Sequence, residues 1–187
     1  MMWTVANNAM SGDGSLELVA TSIAADVAPI ILNKYLGSDS TITKAVTEAA
    51  DKWVGMGVDG FRLDAVKHIY HNAYNDENPT FLKKFYDRMN ESYHARGGEG
   101  DFYMVGEMLD DAANVAPYYK GLPALFEFSF WYRLRWALQN GIGRYFVKDI
   151  LEYQPAYRQY RTDYIEATKL SNHDEDRAAS ELGRVEG

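Results

Sequence analysis

The chain contains no cysteine and no long uninterrupted apolar run. The first absence excludes a disulfide-stapled scaffold and thiol chemistry, although it does not identify the compartment. No stretch reaches the roughly 18 consecutive apolar residues that a transmembrane helix needs. The first residues also lack the basic start and apolar core of a signal peptide, which says nothing about sequence upstream.

Basic side chains are scarce as well. Lysine and arginine number 19 against 27 aspartates and glutamates, which gives a net charge of −8 and a pI near 5.0. Nucleic acids and anionic membranes require a basic surface, so we expect neither as a partner. A neutral polysaccharide makes no such demand.

The apolar pattern predicts helices alternating with strands. Helical spacing runs from Thr41 to Gly55, and Asn78-Pro79 opens a second helix, with asparagine as its cap, that closes at Gly97. Four strands are predicted, at 58–64, 102–107, 124–130 and 164–171. This alternation is typical of an α/β fold with a parallel sheet. At 187 residues the chain is shorter than the roughly 250 residues of a complete eight-stranded barrel.

Three of the predicted strands lead to an acid: Asp64, Glu107 and Asp174. Because parallel strands all point the same way, the residues at their carboxyl ends converge on one rim. We therefore expect the three carboxylates to meet in space. A neutral acid and an ionised one, side by side, are what the cleavage of a glycosidic bond requires.

The surroundings of the first two acids favour different protonation states. Arg62 lies two residues before Asp64 and hence on the same face of the strand, where its charge lowers the pKa of the carboxyl, as suits a nucleophile. Glu107 follows the apolar Met104 and Val105, and desolvation there raises its pKa, as suits a proton donor.

Each of these patterns has a plainer interpretation. An isolated Arg-x-Asp is typical of a surface ion pair, and the run from His173 to Asp176 is typical of a solvated loop or helix cap. A metal site using His173, Asp174 and Asp176 is a weaker alternative, since adjacent ligands rarely close a coordination sphere without a distant partner.

Three segments together resemble the alpha-amylase family of glycoside hydrolases (family 13). They are GFRLDAVKH at 60–68, VGE at 105–107 and SNHD at 171–174. The stretch from 57 to 177, including ALFEFSFWY at 124–132, is most similar to the outer-surface amylases of bacterial starch utilisation systems.

The resemblance implies a partial TIM (β/α)8 barrel containing about strands four to seven. Residues 1–40 would then be the tail of the insertion (B) domain after strand three, and residues 41–187 the partial catalytic barrel. An Asp and Asn-His segment expected on strand three is not in the chain, which we therefore expect to be a piece of a longer protein. A half-barrel exposes strand edges, so we expect the isolated chain to be prone to aggregation.

The resemblance also implies roles. Asp64 would be the nucleophile, Glu107 the acid/base and Asp174 the transition-state stabiliser of a retaining, endo-acting hydrolysis of α-1,4 bonds in starch. Further contacts to substrate would come from Arg62, Lys67, His68 and His173. The backbone carbonyl of His68 would help to hold a structural calcium ion.

The implied substrate is starch or a maltooligosaccharide, and the implied location is extracellular or on the outer cell surface, with other surface starch-binding proteins as possible partners of the whole protein. Two sets of alternatives stay open: a related transglycosylase, cyclodextrin hydrolase or α-1,6-glucan hydrolase, and a glucan-binding remnant without turnover. Trp53 and Trp136, both at helical spacing, are expected in the core.

Overall fold

The structure, a computed structural model, describes residues 2–6, 18–22 and 41–183, with side chains from residue 43 onward. Two short strands lie in the first part, β1 at Met2–Ala6 and β2 at Leu18–Ser22. The rest of residues 1–40, and with it most of the predicted insertion-domain tail, lies outside the described residues.

Four further strands and six helices make up the described part of the chain. The strands are β3 Gly60–Leu63, β4 Tyr103–Gly106, β5 Ala124–Glu127 and β6 Ile165–Thr168. The helices are α1 Thr41–Gly55, α2 Glu77–Ala95, α3 Ala112–Val115, α4 Phe128–Asn140, α5 Gly143–Arg158 and α6 Ala178–Glu181, with 3-10 turns at Val66–His68 and Ala116–Lys120. Among the described residues, no helix is both long and apolar enough to cross a membrane.

The sheet has the order β2-β1-β3-β4-β5-β6. From β3 to β6 every neighbouring pair is parallel, with Leu63 opposite Gly106, Gly106 opposite Leu125, and Leu125 opposite Glu166. Strand β1 pairs antiparallel with both β2 and β3. The predicted α/β class and the four predicted parallel strands are confirmed, and their carboxyl ends lie along one edge.

One face of the parallel strands is covered by helices and forms the core. Phe61 and Leu63 of β3 are almost completely buried there. The apolar stripe of α2 packs in the same core, with Phe81, Leu82, Phe85 and Met89 at most 9% exposed. Because side chains alternate along a strand, Arg62 between Phe61 and Leu63 points to the opposite face.

The structure corrects the predicted strand 124–130, which ends at Glu127. The buried Glu127 carboxylate accepts a hydrogen bond from the Ser129 N–H at 2.9 Å and so caps helix α4, which begins at Phe128. The Tyr157 hydroxyl donates to the same carboxylate at 2.6 Å, which satisfies a charge that burial would otherwise penalise.

Two other predictions about single residues are wrong. Asn78 does not cap α2, which begins one residue earlier at Glu77; its side chain is completely buried. Trp136 is not in the core either, because its side chain is 47% exposed and packs edge-on against Tyr145. Trp53 is half-buried against the core, as expected.

Candidate active site

The ends of β3 and β4 are joined so that two acids lie side by side. The backbone N–H of Glu107 donates to the Leu63 carbonyl at 2.8 Å, and the backbone carbonyl of Glu107 accepts the Val66 N–H at 3.0 Å. Between these two bonds the chain leaves β3 through Ala65, whose left-handed backbone (φ 45°) costs a non-glycine residue roughly 1 kcal/mol. The turn places Asp64 at the strand end, directly opposite Glu107.

Gly106, which directly precedes Glu107, packs closely against core side chains. A Cβ atom there would lie 2.6 Å from Leu122 and 3.0 Å from Leu125, so the backbone that carries Glu107 can approach the core only without a side chain.

Arg62 bridges the two acids. Its Nη1 donates to Asp64 Oδ1 at 2.5 Å, and its Nη2 donates to Glu107 Oε2. The Arg62 side chain is 12% exposed, and its guanidinium carbon lies 6.0 Å from the centre of the Phe126 ring. The predicted proximity of Arg62 to Asp64 is therefore present, and the arginine pairs with Glu107 as well.

The pKa values of the two carboxyls are driven apart. Burial is the main cause that raises the pKa of Glu107, helped by its hydrogen bond with Asp64 and by nearby negative charge, against the charge of Arg62. Burial acts on Asp64 in the same direction, but the hydrogen bond with Glu107 and the charge of Arg62 outweigh it and lower the pKa of Asp64. These directions agree with those predicted from the sequence. Of the two carboxyls, Glu107 is therefore the one that holds a proton to higher pH, and Asp64 is the one that ionises first.

This separation predicts a bell-shaped dependence of kcat/KM on pH. An ionised Asp64 is lost as the pH falls through its pKa, lowered from 3.8, and a protonated Glu107 is lost as the pH rises through its pKa, raised from 4.5. The two limbs belong to the pair as a whole. In an Arg62→Gln variant the lost cation favours the neutral form of both acids, so both limbs should move to higher pH. Limbs that stay in place would contradict this role of Arg62.

Asp174 lies in the loop that follows β6. Its N–H donates to Asn172 Oδ1 at 2.9 Å, and its carboxylate lies 3.2 Å from His173 Nε2. Both side chains are 62% exposed, yet the charge of Asp174 contributes to the raised pKa of Glu107. The structure thus places the third predicted acid, with His173, on the same rim but outside the hydrogen-bonded group.

An ion pair that the sequence did not reveal anchors this loop. Lys169, directly after β6, donates to Glu175, and its ammonium lies 4.0 Å from the centre of the Phe128 ring. The Tyr132 hydroxyl donates to the same glutamate at 3.2 Å. The loop that carries the exposed Asp174 is therefore anchored by the largely buried side chains of Lys169 and Glu175.

Lys67 and His68 lie in the 3-10 turn that follows Asp64. Lys67 Nζ donates to the Leu109 carbonyl at 2.6 Å and to Asp110 Oδ2 at 3.2 Å, which ties this turn to the loop after Glu107. His68 is exposed on the same turn. Both predicted substrate contacts thus lie at the rim.

The turn is braced from below by Asn78. Its amide donates to the Lys67 carbonyl and to the Tyr118 hydroxyl, both at 3.0 Å, and its oxygen accepts the Tyr70 N–H at 2.7 Å. Two of these three hydrogen bonds hold the backbone at Lys67 and Tyr70, and the third joins it to Tyr118. The asparagine before proline looked like a helix cap in the sequence, and only the fold reveals its partners.

The two metal sites considered from the sequence stand differently. Between residues 43 and 183 no cluster of three or more His, Asp and Glu side chains could hold an ion, which counts against the alternative at His173, Asp174 and Asp176. Calcium bound by the His68 carbonyl stays a prediction, because the remaining ligands would have to come from other parts of the protein.

Comparison with known proteins agrees with this geometry. The sequence profile of the alpha amylase catalytic domain matches residues 34–186. The chain is 62% identical over 146 residues to alpha-amylase SusG of Bacteroides thetaiotaomicron, covering 78% of this chain and 21% of that protein. It is 33% identical over 146 residues to alpha-amylase 3 of Dictyoglomus thermophilum, covering 76% of this chain and 27% of that protein.

A solved structure shares the fold. The alpha-amylase from H. orenii superimposes with a TM-score of 0.69 at 31% identity, over 80% of this chain and 30% of that one. The chain therefore spans between about a fifth and a third of the relatives it matches. Its parallel strands form part of a (β/α)8 barrel, and the chain belongs to the alpha-amylase family.

Proposed function

We propose that the protein containing this chain is an endo-acting hydrolase of α-1,4-glucosidic bonds in starch and related glucans. The observation that carries the proposal is the pair of Asp64 and Glu107, bridged by Arg62, with the pKa of Asp64 lowered and that of Glu107 raised. Membership of the alpha-amylase family supports the same substrate class.

The pair suits a double displacement with retention of configuration. The Asp64 carboxylate attacks the anomeric carbon while Glu107 gives its proton to the departing glycosidic oxygen, which leaves a glycosyl ester on Asp64. Glu107, now ionised, removes a proton from water as the water attacks the same carbon and releases Asp64. Retaining enzymes need their carboxyls about 5 Å apart, and the contact of both carboxylates with the one Arg62 guanidinium supports that spacing over the wider one of inverting enzymes.

The other rim residues have supporting roles in this proposal. Arg62 keeps Asp64 ionised and aligned. Asp174 and His173 bind hydroxyls of the ring that becomes oxocarbenium-like, and their exposure leaves them accessible to a substrate. Lys67 and His68 contact the leaving part of the glucan.

Further parts of the proposal concern the whole protein. Residues 1–40 belong to the tail of the insertion domain and residues 41–187 to the catalytic barrel. The His68 carbonyl would supply one oxygen ligand to a structural calcium ion, which would stabilise the fold and take no part in the reaction. The protein acts outside the cell or at its outer surface, where other starch-binding proteins can present the polymer.

A substrate panel tests the proposed specificity. The full-length protein should depolymerise soluble starch, with iodine staining lost well before the reducing ends are fully released, and should act more slowly on pullulan and cyclodextrins. Preference for the α-1,6 bonds of pullulan, preference for cyclodextrins, or transfer products in excess of hydrolysis would each favour the corresponding relative instead. Binding of starch with no sugar released would identify a noncatalytic protein.

A further inference from the structure

An exposed tyrosine stands on a rigid loop beside the candidate active site. The ring of Tyr74 is 68% exposed, in the segment between the Val66–His68 turn and helix α2. Its N–H donates to Asn72 Oδ1 at 2.9 Å, and the carbonyl of the preceding Ala73 accepts the Tyr118 hydroxyl at 2.7 Å. An aromatic ring exposed on an anchored backbone is already ordered for stacking and loses little conformational freedom on binding.

The Tyr74 hydroxyl joins this loop to the loop after Glu107. It donates to Asp110 Oδ2 at 3.3 Å. Asp110, whose side chain is 11% exposed, also accepts the Asn114 amide at 2.8 Å and the Asp111 N–H at 2.9 Å. The carboxylate is therefore fixed, and it fixes the edge of the tyrosine ring.

Lys67 completes the cluster. Its ammonium has three N–H donors, and its contacts within the described residues are with the Leu109 carbonyl and Asp110, which leaves one donor for a ligand. Leu109 itself is 51% exposed beside it. An aromatic face with a cation and a carboxylate at its edge matches a sugar ring, which has an apolar face and a rim of hydroxyls.

The position along the chain indicates which sugar would bind. Leu109 and Asp110 follow Glu107 by two and three residues, and Glu107 is the proposed donor of the proton to the leaving oxygen. We propose that the exposed Tyr74 ring, with its hydroxyl fixed by Asp110, is the stacking surface for a glucose ring on the leaving side of the scissile bond, next to the Lys67 contact that the proposed function already includes. This inference rests on the proposed function.

Two substrates with different leaving parts test the site in the full-length protein. One is maltohexaose, whose leaving part is a sugar chain, and the other is α-maltotriosyl fluoride, whose leaving fluoride has no ring that could stack. Tyr74→Ala should lower kcat/KM for maltohexaose about tenfold, chiefly through KM, as expected for loss of one stacking contact. For release of fluoride, kcat/KM should change by less than about twofold. Tyr74→Phe, which keeps the ring, should stay close to wild type on both substrates.

Tyr160→Ala is the matched control, because Tyr160 is also exposed, at 38%, and packs against Lys120 away from the rim. The Tyr160→Ala variant should leave kcat/KM unchanged for both substrates. Equal losses on both substrates in Tyr74→Ala would indicate a structural role, and no loss on either, or a loss in Tyr74→Phe as large as in Tyr74→Ala, would also overturn the stacking site. If the wild-type protein cleaves neither substrate, the proposed function itself fails.

Discussion

Replacement of Asp64 by asparagine in the full-length protein should reduce kcat on starch by at least about 10⁴-fold, in line with the loss of nucleophiles in other enzymes that act through covalent intermediates. The amide has nearly the shape of the carboxylate and still accepts a hydrogen bond from Arg62. It cannot form the glycosyl ester, because it carries no negative charge to attack the anomeric carbon. Affinity for starch and thermal stability should change far less than turnover.

Asp51→Asn provides the control for this substitution. Asp51 also accepts hydrogen bonds from an arginine, Arg88, at 2.8 and 3.1 Å, and its side chain is 24% exposed, close to the 29% of Asp64. It belongs to α1 and pairs with Arg88 of α2, away from the rim, so its loss should leave kcat nearly unchanged. If Asp64→Asn kept more than about a hundredth of the wild-type kcat, well above the residual activity of such variants, Asp64 would not be the nucleophile.

Replacement of Glu107 by glutamine should lower kcat on starch by about 10² to 10⁴-fold, the usual contribution of a general acid. Glutamine can still accept from Arg62 and donate to Asp64, so the contacts of the pair are conserved while the transferable proton is lost. Formation of the glycosyl intermediate from a glucosyl fluoride needs no proton on the leaving group and should be much less affected. Azide, which attacks without a general base, should then restore turnover of that substrate.

Glu127→Gln separates this effect from a loss of stability. Glu127 ends β5 much as Glu107 follows β4, but it is 3% exposed and binds Tyr157 and Ser129 inside the core. Its replacement should lower the melting temperature without making the rate depend on the leaving group. A Glu107→Gln variant that lost the same factor on starch and on the fluoride, with no rescue by azide, would contradict the role of Glu107 as acid and base.

Much of the fold could be predicted because local and global preferences agree. In β3, apolar residues alternate with Arg62 between a glycine turn and an acid, and the observed strand lies within the predicted range. The aromatic run after Glu127 was ambiguous, since Phe128, Phe130 and Trp131 suit a strand as well as a buried helix. The Glu127 side chain caps the helix and so ends the strand, and glutamate is not among the residues preferred at a helix N-cap.

The contacts of the candidate site were also predictable only in part. The proximity of Arg62 to Asp64 follows from the two-residue period of a strand, whereas its contact with Glu107, 45 residues away, depends on the register of β3 against β4. Asn78 and Asp110 act through partners distant in the chain. Asn78 before proline suggested a helix cap, and the sequence carried no signal of either role.

Trapping of the covalent intermediate tests the central claim most directly. The full-length protein would be incubated with an activated 5-fluoro-glucosyl substrate, whose fluorine slows hydrolysis of the ester, and the digested product would be analysed by mass spectrometry. The proposed mechanism predicts the mass of one sugar on the peptide containing Asp64, with none after Asp64→Asn. A label on Glu107 or Asp174, or unlabelled protein that releases a first product of inverted anomeric configuration, would contradict it.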